Sequence, residues 1–161
     1  MSKASKRRPG GRNNRSSGKS VHGSPLITFE VGFDVREMLT PEFSLKVESD
    51  FNNGIAMLRL HALNEREIGF FMTVRDRAMA VLKMLHTIKL TERVGSRHEM
   101  TSSVVDAFIE LHVCSIKVND IIAQYVCEIR ANEQLQEAVK NYCQAALLVG
   151  ILTDCYVKST R

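Results

Sequence analysis

Hydrophobic and polar residues alternate along several stretches of the chain, as they do in half-buried β-strands. The alternation is clearest at 27–35, where five large apolar side chains share one face of the predicted strand. Residues 43–47 and 56–62 alternate in the same way, and the Asn-Asn-Gly sequence at 52–54 suits a turn between them. The pattern predicts a last short strand at 151–157.

Two other stretches have the period of an amphipathic helix. One repeats apolar residues at steps of four and three and predicts a helix over 74–90, through Val74, Ala78, Val81, Leu85 and Ile88. The second begins after Asn132, which suits an N-cap, and is expected to stop at Gly150. Between the two helices, the polar residues 95–102 predict a loop.

Residues 104–130 fit two structures. Alternation over 105–113 and the Asn119-Asp120 pair favour a hairpin whose second strand is 121–129. Ile122, Val126 and Ile129 also suit a helix, and short apolar runs do not separate the two by period. With the hairpin, the sequence predicts one α+β domain over 25–161, a mostly antiparallel sheet packed with two amphipathic helices.

Positive charge is concentrated at the start of the chain. Residues 1–24 carry seven basic residues and no acidic one, whereas 25–161 carry 15 basic and 18 acidic residues. The basic residues are Lys3, Lys6, Arg7, Arg8, Arg12, Arg15 and Lys19. With almost nothing to bury, this segment is predicted to be a disordered polycationic arm that binds a polyanion such as RNA, or anionic lipid headgroups. A solubilising terminus and a nuclear-localisation patch are the alternatives.

A second set of basic residues falls in one sector of the predicted helix 74–90 and just beyond it. The set consists of Arg75, Lys83, His86, Lys89 and Arg93. It predicts a second phosphate-contacting surface, the alternative being an ordinary solvated helix face. The arm has no aromatic residue on which bases could stack, so sequence-specific readout of nucleic acid is not expected.

The remaining polar residues do not form a recognisable catalytic or metal site. Cys114, Cys127, Cys143 and Cys155 are too widely spaced for a zinc site or a dense disulfide framework. His112-Val113-Cys114 lacks a second ligand pair, and no nucleophile or phosphate-loop motif occurs. We therefore expect no enzyme activity, cofactor or metal. The charged N-terminus lacks the apolar stretch of a signal peptide, which predicts an intracellular protein of the cytoplasm or nucleus.

In size and organisation the chain resembles the small matrix proteins of plant rhabdoviruses, with Lys3 to Lys19 as the arm and a compact strand-rich domain from Leu26 onward. The resemblance implies a viral structural protein that condenses a ribonucleoprotein, self-associates as a homo-oligomer and contacts a membrane. The Pro-Pro-x-Tyr budding motif of some animal-virus relatives is missing. The sequence thus predicts a non-enzymatic assembly protein; a nucleic-acid-binding regulator or silencing suppressor without higher-order assembly is the alternative.

Overall fold

Helices account for nearly all of the residues described by the structure, a computed structural model that covers 39–91 and 97–159, with side chains for 39–88 and 101–158. The helices are α1 (Pro41–His61), α2 (Glu65–Thr91), α3 (Arg97–Gln124), the short α4 (Val126–Arg130) and α5 (Glu133–Ser159). Within those ranges there is no strand. The predicted α+β fold with an antiparallel sheet is therefore wrong.

The alternating stretches were misread because apolar residues lie on the outside of the helices as well as on the inside. Residues 43–47, the expected turn 52–54 and residues 56–62 all belong to α1. Leu58 is buried there, but Leu60, two residues later, is 73% exposed. A helix with one apolar residue in its core and another in solvent imitates the period of a strand. Residues 105–113 and 151–157 are likewise helical, in α3 and α5.

The two predicted helices are present, with different ends. Residues 74–90 lie within α2, and Asn132 caps α5 by accepting a hydrogen bond from the Leu135 amide (3.1 Å). Gly150 does not stop α5, which continues to Ser159. For 104–130, the helical alternative is correct. The predicted strand 27–35 and the arm 1–24 lie outside the described residues.

Side-chain caps fix where α1 and α2 begin. Thr40 Oγ1 accepts a hydrogen bond from the Phe43 amide (3.1 Å), and Pro41 occupies the first turn, where its missing N–H costs nothing. At the start of α2, Asn64 and Glu67 each accept a bond from the other's backbone amide, a capping box. The Tyr125 hydroxyl at the end of α3 donates to the same Glu67 carboxylate (2.9 Å). One acidic residue therefore joins the start of α2 to the end of α3.

Contacts between the ends of the helices give the topology. Arg59 near the end of α1 pairs with Glu65 at the start of α2 (2.7 Å), and Ser44 near the start of α1 contacts His86 near the end of α2, so these helices are antiparallel. Arg77 of α2 pairs with Glu110 of α3 (2.8 Å) and Glu67 contacts Tyr125, so α2 and α3 are antiparallel too. Thr101 at the start of α3 lies 3.4 Å from the Tyr156 hydroxyl at the end of α5. With α5 also packed on α1, the described helices form an up-down-up-down four-helix bundle.

Tyr142 of α5 lies at the centre of the bundle. Its ring packs edge-on against Phe51 of α1, with centroids 5.0 Å apart, and is tilted against Phe71 of α2 at 5.3 Å. All three side chains are fully buried. The hydroxyl donates to the Phe71 carbonyl (2.7 Å), which satisfies the polar end of the ring. Burial raises the pKa of this phenol far above its ordinary value, so Tyr142 stays a neutral donor.

Gly54 allows α1 to approach α5 at Tyr142. A methyl group at position 54 would lie 2.8 Å from Tyr142 Cβ and 3.2 Å from the Ala138 carbonyl oxygen. Those neighbours are a backbone atom and the base of a buried ring, so neither moves easily. We expect Gly54→Ala to lower the free energy of unfolding by about 1–3 kcal/mol, the usual cost of overpacking, in urea denaturation followed by circular dichroism.

Gly69→Ala is the matched control, because a methyl group there meets nothing within 4 Å. Since alanine favours a helix over glycine, this variant should be as stable as the wild type or gain up to about 1 kcal/mol. Equal stability of Gly54→Ala and the wild type would contradict the close approach of α1 to α5.

Candidate functional site

The basic positions predicted on α2 are not all directed toward solvent. Arg75 is turned toward α1, where it donates to Asn52 Oδ1 (3.1 Å), and it also pairs with Asp76 (3.0 Å). His86 Nε2 lies 2.7 Å from Ser44 Oγ of α1, and Lys83 is exposed. Lys89 belongs to α2, but its side chain, like Arg93 as a whole, lies outside the described part. Phosphate binding by this set stays a prediction.

The arm residues that were predicted to bind a polyanion all lie outside the described ranges. They are Lys3, Lys6, Arg7, Arg8, Arg12, Arg15 and Lys19. Their role also stays a prediction. Leu39 directly precedes α1, whose start lies at the same end of the bundle as the end of α2.

A cleft of about 310 Å³ lies between α3 and α5, with Val74 of α2 contributing to its floor. The residues around it are mostly apolar: Val74, Phe108, Leu111, His112, Ser115, Val118, Asn119, Tyr142, Cys143, Ala146, Leu147 and Gly150. Its volume is at the lower limit of the ligand sites found in proteins, about 300–1,000 Å³. Sequence reasoning did not find this cleft, because its walls come from residues far apart in the chain.

Small residues on α5 explain why the cleft exists. Cys143, Ala146 and Gly150 recur at steps of three and four, so they lie in one row facing α3. A methyl group on Gly150 would lie 3.4 Å from the Phe108 ring, so the glycine makes room for that ring. Side chains this short cannot fill the space up to α3.

The cleft has few polar groups, and these either form hydrogen bonds to the backbone or are exposed to solvent. The Ser115 hydroxyl donates to the Leu111 carbonyl of its own helix (2.8 Å), and Tyr142 donates to Phe71. His112 and Asn119 are exposed. Among the described residues, no group of three or more His, Cys, Asp or Glu side chains could hold a metal ion. The lining therefore suits apolar contact better than acid–base chemistry.

An exposed apolar stripe on α3 consists of three residues that each follow a cleft-lining residue in the chain. Ile109, Val113 and Ile116 are 53%, 60% and 53% exposed, and their spacing of four and three residues places them on one side of the helix. Isolated exposed apolar residues are normal on a protein surface, but a contiguous group of them next to an apolar cleft makes a candidate interaction surface. Among the residues with described side chains, the other large exposed apolar ones are Leu45 and Leu60, which lie far apart on α1.

The middle of α5 has little surface in solvent. From 141 to 153 no residue of this helix is exposed, although a helix of a four-helix bundle ordinarily has one face in solvent. Leu147 lines the cleft, and Ile151, one turn further, continues the apolar surface outward. We define the α3/α5 face as Ile109, Val113 and Ile116 of α3, Leu147 and Ile151 of α5, and the cleft between them.

No described helix is long and apolar enough to cross a membrane. Comparison of the chain with protein-family models, curated proteins and solved structures found no match to any of them. The function must therefore be argued from the α3/α5 face and from the charge of the sequence.

Cys143 provides a chemical test of the cleft. Burial raises the pKa of its thiol, so at neutral pH less of it is thiolate than in an unhindered cysteine. We expect iodoacetamide to modify Cys143 more slowly than the exposed Cys127 at neutral pH. The rate at Cys143 should still be rising above pH ~8.5, the ordinary thiol value, when each site is followed by mass spectrometry of its peptide.

Unfolding in urea removes the burial and should bring the two rates together. If Cys143 reacted as fast as Cys127 in the folded protein, the thiol would not be buried against α3 as described.

Proposed function

We propose that this chain is a non-enzymatic assembly protein that binds a polyanion through its basic segment 1–24 and self-associates through its helical bundle. The observation that carries the proposal is the separation of the two properties. Seven basic residues without an acidic one precede residue 25, whereas the rest of the chain has three more acidic than basic residues. A separate apolar face lies on the bundle.

The charge separation favours the segment, rather than the bundle, as the phosphate-binding part. Several basic residues of the bundle are already paired with acids, including Lys46, Arg59, Arg77 and Lys158. Pairing reduces the counterions that such residues can release on binding phosphate. RNA or a ribonucleoprotein is the partner we propose; anionic headgroups present the same phosphate chemistry, and the test below separates the two.

One of the features behind the resemblance to plant rhabdovirus matrix proteins is lost in the structure. The strand-rich domain that formed part of it does not occur in the described residues, which leaves chain size and the basic segment. The proposal therefore depends on charge and on the α3/α5 face, and a viral origin is not needed for it.

Replacing the seven basic residues of the segment by glutamine should remove most of the RNA affinity at low salt. If all seven contact phosphates, the slope of log K against log salt should fall in magnitude by about 5, since each phosphate contact to single-stranded RNA contributes about 0.7. Fluorescence anisotropy of a labelled single-stranded RNA over a range of salt concentrations measures both quantities.

A variant with residues 2–24 in shuffled order is the matched control, because it keeps the charge and should keep the affinity. Parallel sedimentation with phosphatidylserine vesicles separates the polyanions: tighter binding to vesicles than to RNA at equal phosphate would point to a membrane surface. An unchanged salt slope in the glutamine variant would contradict the proposal.

A further inference from the structure

We propose that the α3/α5 face binds the same face of a second copy of this chain, about a two-fold axis parallel to the helices. The inference rests on the self-association in the proposed function and gives that association its surface and geometry. In this dimer α3 of each copy packs on α5 of the other.

The contacts between α3 and α5 show which of their residues lie at the same height along the bundle axis. Phe108 lies beside Gly150, and Thr101 lies beside Tyr156. Because both helices rise about 1.5 Å per residue in opposite directions, Ile109 stands at the height of Val149. By the same register, Asp120 stands at the height of Ala138, within about one helical turn of Lys140.

A two-fold axis parallel to the helices preserves these heights while exchanging α3 with α5. Ile109 of one copy then meets α5 of the second copy between Leu147 and Ile151, the apolar residues that flank Val149. The His112 ring packs beside Phe108 within α3 (centroids 6.5 Å apart). In the dimer, His112 lies at the same height as Ala146 of the second copy. The exposed apolar residues of α3 thereby cover the half-buried apolar residues of α5.

The charges on the face are complementary in the same arrangement. Asp120 and Lys140 are both exposed, and neither forms an ion pair within 39–88 and 101–158. The dimer places Asp120 of each copy opposite Lys140 of the other, which gives two ion pairs related by the axis. Like charges at these heights would instead oppose the contact. This complementarity favours a second copy over an unrelated partner.

The size of the face suits a weak, reversible dimer. Residues 105–123 of α3 extend over about 27 Å at 1.5 Å per residue, and two helices packed 8–10 Å apart present a surface about 20 Å wide. Such a face would bury roughly 1,000 Å² in total, the lower end for specific interfaces. The association should therefore depend on protein concentration.

The dimer also has a consequence for polyanion binding. An axis parallel to the helices leaves both copies pointing in the same direction, so both Leu39 residues lie at the same end. Residues 1–24 precede Leu39 in each chain, and the two copies together contribute 14 basic residues. Binding of one segment to a long polyanion raises the effective concentration of the other segment. Dimerisation and polyanion binding should thus strengthen each other.

Charge reversal at the predicted ion pair tests the arrangement. Asp120→Lys and Lys140→Asp should each raise the dissociation constant of the full-length dimer about tenfold or more, because each places like charges opposite one another. The double variant should return it to within about threefold of the wild type. Sedimentation equilibrium of nuclease-treated protein measures these constants, and Glu48→Lys, an exposed reversal on α1, should leave the constant unchanged.

Apolar substitution gives a second test that does not depend on charge pairing. Ile109→Asp should abolish dimerisation, whereas Leu60→Asp, at a more exposed apolar position on α1, should not change it. Circular dichroism of both variants checks that the bundle is intact. Failure of the double charge variant to recover, or dimerisation of Ile109→Asp like the wild type, overturns the inference.

The outcomes separate this inference from the proposed function. Self-association that is insensitive to Ile109 and to the charge pair overturns the α3/α5 geometry and leaves the assembly function intact. A wild-type chain that stays monomeric overturns both the geometry and the self-association, and means that something other than a second copy covers the face. RNA binding by the basic segment is tested separately, by the salt dependence of the glutamine variant.

Discussion

The packing of Tyr142 against Phe51 and Phe71 is the interaction on which the rest of the bundle depends. It joins three of the four long helices at mid-height, and its one polar atom is satisfied by the Phe71 carbonyl. Gly54 permits this contact by letting α1 approach α5. Because α5 is held here against α1 and α2, its small residues Cys143, Ala146 and Gly150 are left to face α3, and the cleft follows.

The sequence predicted a helix where one helical period of apolar residues stands out, and it failed where exposed apolar residues between the core positions hide that period. The helix at 74–90 is predictable from the helical period of its apolar residues. The start of α5 is predictable from Asn132, which suits an N-cap. In α3, Leu111 is in the core while Ile109 and Val113 are exposed, so alternation hid the helical period. On α3, the exposed residues that misled the fold prediction, Ile109 and Val113, thus belong to the α3/α5 face. The cleft could not be predicted, since its walls meet only in the folded chain.

The two parts of the proposed function use different physics. Polyanion binding depends on the charge of a short segment and weakens with salt. Self-association depends on burying Ile109, Ile116 and their neighbours, which salt affects little, with Asp120 and Lys140 setting the register. In the proposed dimer the two are connected, because Leu39 of both copies lies at the same end and residues 1–24 precede it in each chain. A weak dimer becomes useful in this way, because the polyanion itself supplies the local concentration that strengthens it.

Hydroxyl-radical footprinting of the full-length protein over a series of concentrations tests the central claim most directly, because it reports the exposure of individual side chains in solution. The account predicts that oxidation of His112 and Ile116 falls as concentration rises through the dissociation constant, while oxidation of Leu45 and Leu60 on α1 stays constant. Oxidation of His112 and Ile116 that is independent of concentration, in a sample that does dimerise, would contradict it.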